Sequence, residues 1–212
     1  MALRPTRPAL GERYDRRRRQ FVHQGAKVFA KRGYDQTTMQ ELAASMGLAT
    51  GALYHYFAAK EDLLTAICDQ LMEPLLARAA ELLEAGQPAE RMEGEQPAER
   101  MEGGQPAEDE LRSLVRMWVA HVTEHRDHML VFQQERHVIE SGERWRNVRA
   151  SRKAFERLVD DLLSRVRGRD DDRLALRALL GMVNHTAQWY RPRGELTPEQ
   201  IADGYVSLVL GG

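Results

Sequence analysis

The chain has 212 residues, of which 42% are hydrophobic, and its 31 Lys and Arg against 32 Asp and Glu give a formal net charge of -1. The first 60 residues hold 11 basic and 4 acidic residues, so the remaining 152 residues carry a net charge of -8. This asymmetry favours a polyanionic partner for the N-terminal part. The single cysteine, Cys68, excludes an internal disulfide and a multi-thiolate zinc site. No apolar run is long enough for a membrane span, and no apolar segment follows the basic N-terminus as in a secretory signal, so we expect a cytoplasmic protein.

Apolar residues recur at helical spacing throughout the chain, whereas alternation typical of strands is absent, so we expect an all-α protein. Residues 1–13 contain two prolines and no apolar periodicity, which favours a disordered basic arm. Phe21, Gly25, Val28 and Phe29 then share one face of a first helix that ends near Gly33.

The next elements are short and closely spaced. Thr38 and Glu41 have the spacing of a capping box, and Gly47 is placed to end the helix that the box begins. A short helix is expected over residues 50–57, and a longer one begins near Lys60. Short helices joined by a tight turn that contains glycine indicate a helix-turn-helix, here over residues 14–60.

Residues 87–108 are a tandem repeat of nine residues, in which QPAERMEG occurs twice and QPAE begins a third copy. The period matches no solenoid unit, and each complete copy has one large apolar side chain. Such a segment buries too little apolar surface to offset its ordering entropy. We therefore predict a flexible insertion at residues 85–109 within a larger C-terminal domain, residues 61–212.

Apolar periodicity after the repeat predicts four helices. One long helix runs from Leu111 to Phe132, a second carries Phe155 to Val166, and a third carries Leu176 to Tyr190. The last begins at Thr197, with a capping box to Gln200 and a proline at its first position. These helices predict an antiparallel C-terminal bundle, and the apolar faces of the last two favour a homodimer.

The segment from Thr50 to Lys60 has the side chains that a recognition helix needs. Gly51 and Ala52 permit close approach to DNA, whereas Leu53 and Phe57 are spaced to face inward. Three adjacent residues at positions 54–56 must point around the helix, so at least two of them lie outside the core. Their hydroxyl and imidazole groups, with the Lys60 ammonium, are suited to contact phosphates and base edges.

Residues 16–64, above all the TTMQELA, GLA and GALYHYFAAKEDL segments, resemble the DNA-binding domain of the tetracycline-repressor (TetR) family. This resemblance implies phosphate contacts for Thr38, Tyr54, Tyr56 and Lys60, and positions nearest the bases for Thr50, Gly51, Ala52 and His55. It also implies a C-terminal domain that binds an effector and dimerises. The sequence departs from the family at Ala49 and Ala59, where a capping Ser is frequent.

Segments 181–192 and 196–203 are similar to the branch of this family that controls fatty-acid, phenylacetate and sterol catabolism through acyl-CoA thioesters. An acyl-CoA site needs an apolar tunnel and cations for the phosphates. Arg144, Arg146, Arg149 and Arg152 are candidates for the nucleotide. The candidates for the remainder of the effector site are Trp118, Val122, His125, Met129, Phe132, Phe155, Leu158, Leu162, Val183 and Trp189.

The sequence thus predicts a non-enzymatic regulator, typically a repressor, that leaves a palindromic operator when a hydrophobic or acyl-CoA effector binds. It requires no metal and no cofactor. One alternative is a DNA-binding protein that responds to no effector. Another is a helical-bundle enzyme with a metal held by His121, His125 and His128, although the Glu-x-x-His spacing of di-iron bundles is absent.

Overall fold

A computed structural model describes residues 8–86, 104–168 and 173–211, and these residues form helices and turns without a strand, as an all-α fold requires. The α-helices are α1 (Pro8–Arg32), α2 (Met39–Ser45), α3 (Thr50–Tyr54), α4 (Lys60–Gly86), α5 (Gly104–Glu124), α6 (Arg126–Gln134), α7 (Arg136–Ile139), α8 (Arg146–Arg167), α9 (Arg173–Trp189) and α10 (Pro198–Leu210). A 3-10 turn, Glu143–Trp145, precedes α8. None of the described helices combines the length and the hydropathy that are needed to cross a bilayer.

The chain divides into two compact units. The N-terminal unit comprises Met1–Met72 with His125–Arg149, and the C-terminal unit comprises Glu73–Glu124 with Ala150–Gly212. The division therefore falls inside α4 and α8. The boundary after residue 60 separates two predicted functions, DNA binding and effector binding, rather than two compact units, and it stays a prediction.

The core of the N-terminal unit forms where α1, α2, α3 and the first half of α4 bury their apolar faces, together with side chains of α6 and α7. Cys68 is fully buried there, and burial raises the pKa of its thiol, as expected for a structural rather than a reactive cysteine. Each large side chain that leaves water contributes about 1.5–3 kcal/mol. The fully buried members include Val22, Phe29, Leu42, Leu53, Phe57, Leu63, Leu64 and Ile67.

The C-terminal unit is built on α5, which packs against α9 and α10. The Trp118 and Phe155 rings meet edge to face with 4.8 Å between centroids, so α8 joins the same core. On the surface, the Arg116 guanidinium donates two hydrogen bonds to Asp203, at 2.7 and 2.8 Å, and connects α5 to α10. The Thr197 and Gln200 capping box, with Pro198 at the first helical position, begins α10 as the sequence predicts.

Helix α1 begins earlier than the sequence analysis expects. It starts at Pro8, so the prediction of a disordered arm is wrong for residues 8–13, while residues 1–7 lie outside the described part. Proline is tolerated at a helix start, and the Ala, Leu, Glu and Arg residues of this segment have high helix propensity. They favour a helix although the segment has no apolar periodicity. Periodicity alone therefore misses this turn.

The connection between α4 and α5 also differs from the prediction. The prediction is wrong at both ends of the range 85–109: residues 85 and 86 belong to α4, and residues 104–109 are helical with Ala107 buried, so they belong to α5. Glu108 accepts hydrogen bonds from Arg112 one turn later, at 2.7 and 3.1 Å, which supports the new turn. The predicted insertion otherwise concerns residues 87–103, which lie outside the described residues.

The long helix predicted from Leu111 to Phe132 is interrupted. It consists of α5 and α6, and His125 between them has φ -102° and ψ 36°, outside the helical region. The apolar spacing continues across the break because α5 and α6 each bury an apolar face with helical spacing. Periodicity gives no sign of the interruption, and the prediction of one continuous helix is wrong.

Candidate nucleic-acid interface

The predicted capping box sets the start of α2. The Glu41 amide donates to Thr38 Oγ1 at 3.2 Å, and the Thr38 amide donates to Glu41 Oε2 at 2.8 Å. The hydrogen bond from the Thr38 backbone is the main reason why the pKa of the Glu41 carboxyl lies below its ordinary value. Thr38 itself is exposed, as a residue that contacts phosphate must be.

The turn and α3 follow without irregularity. Gly47 has φ +68°, a conformation that glycine adopts without strain, and it ends α2 as predicted. Helix α3 ends at Tyr54 and is three residues shorter than the expected helix, because residues 55 and 56 form a turn and residue 57 lies beyond it. Leu53 and Phe57 are fully buried, which confirms that both face inward.

The outer side of α3 carries the residues predicted to lie nearest the bases. Gly51 is exposed, and a Cβ built on it would meet no atom within 4 Å. Thr50 and Ala52 are half-buried, whereas His55 is exposed and Tyr54 is 46% exposed. The helix therefore presents small and polar groups toward solvent, as a recognition helix needs.

Tyr56 differs from its two neighbours because it is half-buried and packs against the core. Its ring stacks on Tyr14 with 4.8 Å between centroids and meets the edge of Phe21 at 4.9 Å. Tyr56 is therefore the one of the three residues at positions 54–56 that is partly covered, because α1 extends far enough to reach its ring. Two of the three lie outside the core, as the helical geometry requires.

Lys60, at the start of α4, lies against Tyr34, the second residue after the end of α1. Its ammonium donates to the Tyr34 carbonyl at 2.8 Å and lies 4.2 Å from the centroid of the Tyr34 ring. A lysine has three donors, so two N–H groups remain beyond the bond to Tyr34. Burial raises the pKa of the Tyr34 phenol, so this ring stays neutral beside the cation.

Basic residues surround this surface. Arg16, Arg17 and Arg19 on α1 are exposed, and the Arg18 guanidinium lies 5.0 Å from the centroid of the Phe57 ring. The positive charge that the composition assigns to this part of the chain is therefore available to a polyanion. Phosphate groups of DNA match this distribution.

The candidate effector residues are divided between the two units. Those of the C-terminal unit are buried, except that Leu158 is half-buried and Trp189 is 41% exposed. Trp118 is nearly fully buried, and its Nε1 has no hydrogen-bond partner among the described residues. The candidates in this unit are Trp118, Val122, Phe155, Leu158, Leu162, Val183 and Trp189.

The other candidates, His125, Met129, Phe132, Arg144, Arg146 and Arg149, belong to the N-terminal unit, whereas Arg152 is half-buried in the C-terminal unit. Met129 is buried, and Phe132 is half-buried against the core of that unit. Arg149 donates to the carbonyl oxygens of Ile139, at 3.1 Å, and Gly142, at 2.8 Å, so part of its donor capacity holds the α7–α8 connection.

The three histidines of the metal alternative are distributed along α5, the break after it and α6. His121 belongs to the C-terminal unit, and His125 and His128 belong to the N-terminal unit. His128 lies against His125, with 5.6 Å between ring centroids, and its Nε2 lies 3.4 Å from Gln70 Oε1. Within residues 8–86, 104–168 and 173–211, no group of three or more His, Cys, Asp or Glu is placed to hold a metal.

A helix-turn-helix with an exposed recognition helix, carried by an all-α chain, is the architecture of a DNA-binding transcriptional regulator. Two family models match the chain. "Bacterial regulatory proteins, tetR family" covers residues 21–67, and "Tetracyclin repressor-like, C-terminal domain" covers residues 104–212. The chain belongs to the tetracycline-repressor (TetR) family of transcriptional regulators, whose members bind operator DNA as dimers.

Several transcriptional regulators are similar to this chain over nearly their whole length. The HTH-type transcriptional repressor KstR2 of Mycobacterium tuberculosis is 26% identical over 202 residues, which cover 92% of each chain. The structure of the TetR family regulator PfmR from Thermus thermophilus has 28% identity and a TM-score of 0.72, over 91% of this chain and 98% of its own. AibR in complex with isovaleryl coenzyme A and operator DNA has 27% identity and a TM-score of 0.67, over 91% and 97% of the two chains.

Proposed function

We propose that this protein is a ligand-responsive repressor that binds a palindromic operator as a homodimer and leaves it when an acyl-CoA or a related hydrophobic effector binds. The observation that carries the proposal is the likeness to AibR, which spans nearly all of both chains and whose structure contains both an acyl-CoA and operator DNA. The likeness to the repressor KstR2 has similar coverage and supports the direction of regulation.

On the DNA side, the proposal divides the contacts between two groups. Thr38, Tyr54, Tyr56 and Lys60 would bind phosphates, and Thr50, Gly51, Ala52 and His55 would lie nearest the base edges. The exposure of Tyr54 and His55 supports this division. Residues 14–60 would act as the DNA-binding domain and residues 61–212 as the effector-binding and dimerisation domain. Binding to chromosomal DNA would place the activity in the cytoplasm.

The dimer would form through α9 and α10. Trp189 at the end of α9 and Leu208 on α10 are large apolar side chains with exposed fractions of 41% and 73%. A second copy of the chain would remove them from water, at about 25 cal/mol per Å² of apolar surface. Dimerisation would also place two recognition helices on successive major grooves of one operator.

Trp118 supports an effector site in the C-terminal unit. A buried indole N–H normally has an acceptor, and leaving one unsatisfied costs about 1–3 kcal/mol. A carbonyl oxygen of an acyl thioester would supply that acceptor, while Val122, Leu162 and Val183 would contact the apolar chain. The effector would favour a dimer geometry that no longer fits the operator, so release would be a shift between two conformational populations.

The test is release of the protein from the DNA upstream of its own gene. Fluorescence anisotropy of a labelled fragment is followed while isovaleryl-CoA, longer acyl-CoAs, the corresponding free acids and CoA alone are added separately. We expect at least one acyl-CoA to release the DNA, and CoA alone to be ineffective. Binding without release by any ligand would favour a DNA-binding protein that responds to no effector.

Two further measurements sharpen the test. Trp118→Phe removes the N–H and keeps an aromatic ring, so we expect weaker ligand response with unchanged DNA affinity; Trp145→Phe in the N-terminal unit is the matched control. We also expect mass spectrometry to recover the acyl-CoA chemically unchanged, as for a regulator without catalytic activity. Turnover of the thioester would contradict this part of the proposal.

A further inference from the structure

The first turns of α1 lie outside the segment that matches the DNA-binding family model. The match begins at residue 21, whereas α1 begins at Pro8. Tyr14, Arg18 and Phe21 follow one another at four- and three-residue spacing, so they share one face of α1. That face lies against the residues that follow α3, because Arg18 covers Phe57 and Phe21 meets Tyr56.

Tyr14 makes two contacts with the end of the recognition helix. Its hydroxyl donates to the carbonyl oxygen of His55 at 3.2 Å. Its ring stacks on Tyr56, with 4.8 Å between centroids and 15° between planes. Burial raises the pKa of the Tyr14 phenol, so the hydroxyl is protonated and remains a donor at neutral pH.

Helix α3 depends on such tertiary contacts. It has five residues, and its N-cap, Ala49, makes no side-chain hydrogen bond. A helix of this length is not stable by its own hydrogen bonds. Leu53 and Phe57 fix its inner side, and Tyr14 holds the backbone where the helix ends.

We infer that Tyr14 is a positioning residue for DNA recognition, which fixes the backbone at His55 and the ring of Tyr56 without itself contacting DNA. The inference rests on the proposed roles of His55 and Tyr56 at the operator. It assigns a function to the N-terminal extension of α1, which sets the orientation of the recognition helix from outside the helix-turn-helix.

Removal of the Tyr14 side chain does not open a hole in the core. Tyr14 is half-buried and borders a surface cleft of about 590 Å³, whose walls also include Thr65 and Arg144. Solvent can therefore fill the space that a truncated side chain leaves. This separates an effect on recognition from an effect on folding.

The experiment compares Tyr14→Phe and Tyr14→Ala with the parent chain. Thr123→Ala is the matched control, because it also removes a hydroxyl that donates to a backbone carbonyl oxygen, that of Ala120 at 2.9 Å, but on α5 in the C-terminal unit. Affinity is measured by fluorescence anisotropy for the operator fragment and for an unrelated duplex of equal length, across a range of salt concentrations. Thermal unfolding is followed for each variant.

We expect Tyr14→Phe to weaken operator binding about three- to tenfold, as for one neutral hydrogen bond, and Tyr14→Ala to weaken it more. Affinity for the unrelated duplex should fall less than affinity for the operator, because of the two groups that Tyr14 positions only Tyr56 is proposed to bind phosphate. The slope of log K against log salt should stay unchanged, because the substitutions remove no charged group. Thr123→Ala should bind the operator like the parent.

Two results would overturn the inference. Unchanged operator affinity in both Tyr14 variants would show that this tyrosine does not position α3. Equal losses on both duplexes would show that Tyr14 contacts the DNA backbone directly. If the parent chain itself does not prefer the operator fragment, the proposed function fails first, so the two failures are distinguishable.

Discussion

Gly25 is the residue at which α1 and α4 approach each other closely in the N-terminal unit. A Cβ on Gly25 would lie 2.8 Å from Leu63 Cδ2, and Leu63 is fully buried, so its side chain has no free space to enter. We expect Gly25→Ala to lower the free energy of unfolding by about 1–3 kcal/mol, as for other overpacked cores. Urea unfolding measures this loss.

Gly51→Ala is the control for Gly25→Ala, because both glycines lie within helices and only Gly25 of the two is crowded. The added methyl group at position 51 meets no atom, so stability should stay constant or rise by up to about 1 kcal/mol from helix propensity. Equal destabilisation by both substitutions would contradict the packing argument.

Lys60 has a defined position without DNA, which makes its proposed phosphate contact testable. Lys60→Met removes the charge that lies on the Tyr34 ring, and the slope of log K against log salt for operator binding should become shallower by about 0.9 for each phosphate that the lysine neutralises. Lys153→Met is the control, since Lys153 is exposed on α8 and has no proposed DNA contact. An unchanged slope for Lys60→Met would mean that the lysine serves only to pack against Tyr34.

The sequence predicts the exposed residues of this site better than the residues that pack behind them. Tyr54 and His55 are found at the surface because three adjacent residues of a helical turn cannot all face the core. Tyr14 and its contact with Tyr56 are missed because the arginine run around Tyr14 hides the apolar face. The spacing of Tyr14, Phe21 and Gly25 is the signal that extends this face toward the N-terminus.

At the scale of elements, α2 and α3 differ in how their first turns are capped. Thr38 caps α2, whereas Ala49 leaves α3 without a side-chain cap. We expect Ala49→Ser to raise the free energy of unfolding by about 1 kcal/mol, measured by urea unfolding. Ala44→Ser, at an exposed position inside α2, controls for the substitution itself and should not stabilise the protein. A gain of equal size at both positions would contradict the capping argument.

The capping box of α2 should also make stability depend on pH. The backbone hydrogen bond from Thr38 lowers the pKa of Glu41 from its ordinary value of 4.5, so the folded state favours the carboxylate. This contribution is therefore complete above about pH 4.5 and is lost as the pH falls through the lower folded-state value. We expect the difference in unfolding free energy between the parent and Glu41→Gln to shrink between pH 7 and pH 3. A difference that is constant with pH would contradict the stabilising role of the Glu41 carboxylate.

Elements with local signals are the ones that the sequence predicts well. The capping boxes at Thr38 and Thr197 give the starts of α2 and α10 because side chain and backbone within one turn determine them. The break at His125 has no such signal, since apolar spacing runs through α5 and α6 alike. Contacts distant in sequence, such as the hydrogen bond from Arg144 to Asp62, 82 residues away, are not encoded in any local pattern.

At the scale of the whole molecule, charge and fold divide the chain differently. The basic residues concentrate in the first 60 residues, but the N-terminal unit also includes His125–Arg149. In this region Arg144 pairs with Asp62 at 2.7 Å, so a residue from the later part of the chain holds the start of α4. A positive composition therefore indicates the part of the chain that holds the proposed DNA contacts, but it does not indicate the later residues that pack with that part.

The nine-residue repeat supplies the connection between α4, which ends at Gly86, and α5, which begins at Gly104. Deleting residues 87–95 removes one copy and shortens this connection from 17 to 8 residues while leaving the start of α5 intact. Loop-closure entropy changes by only about 0.6 kcal/mol for each twofold change in length. We therefore expect unfolding free energy within about 1 kcal/mol of the parent and unchanged operator affinity.

Replacing residues 87–95 with nine Gly and Ser residues is the control, because it keeps the length and removes the sequence of the repeat. Both variants are compared with the parent by urea unfolding and by anisotropy on the operator fragment. A large loss in the deletion alone would show that the length of the connection matters. A large loss of stability or affinity in both variants would show that the sequence of the repeat, and not only its length, has a structural role.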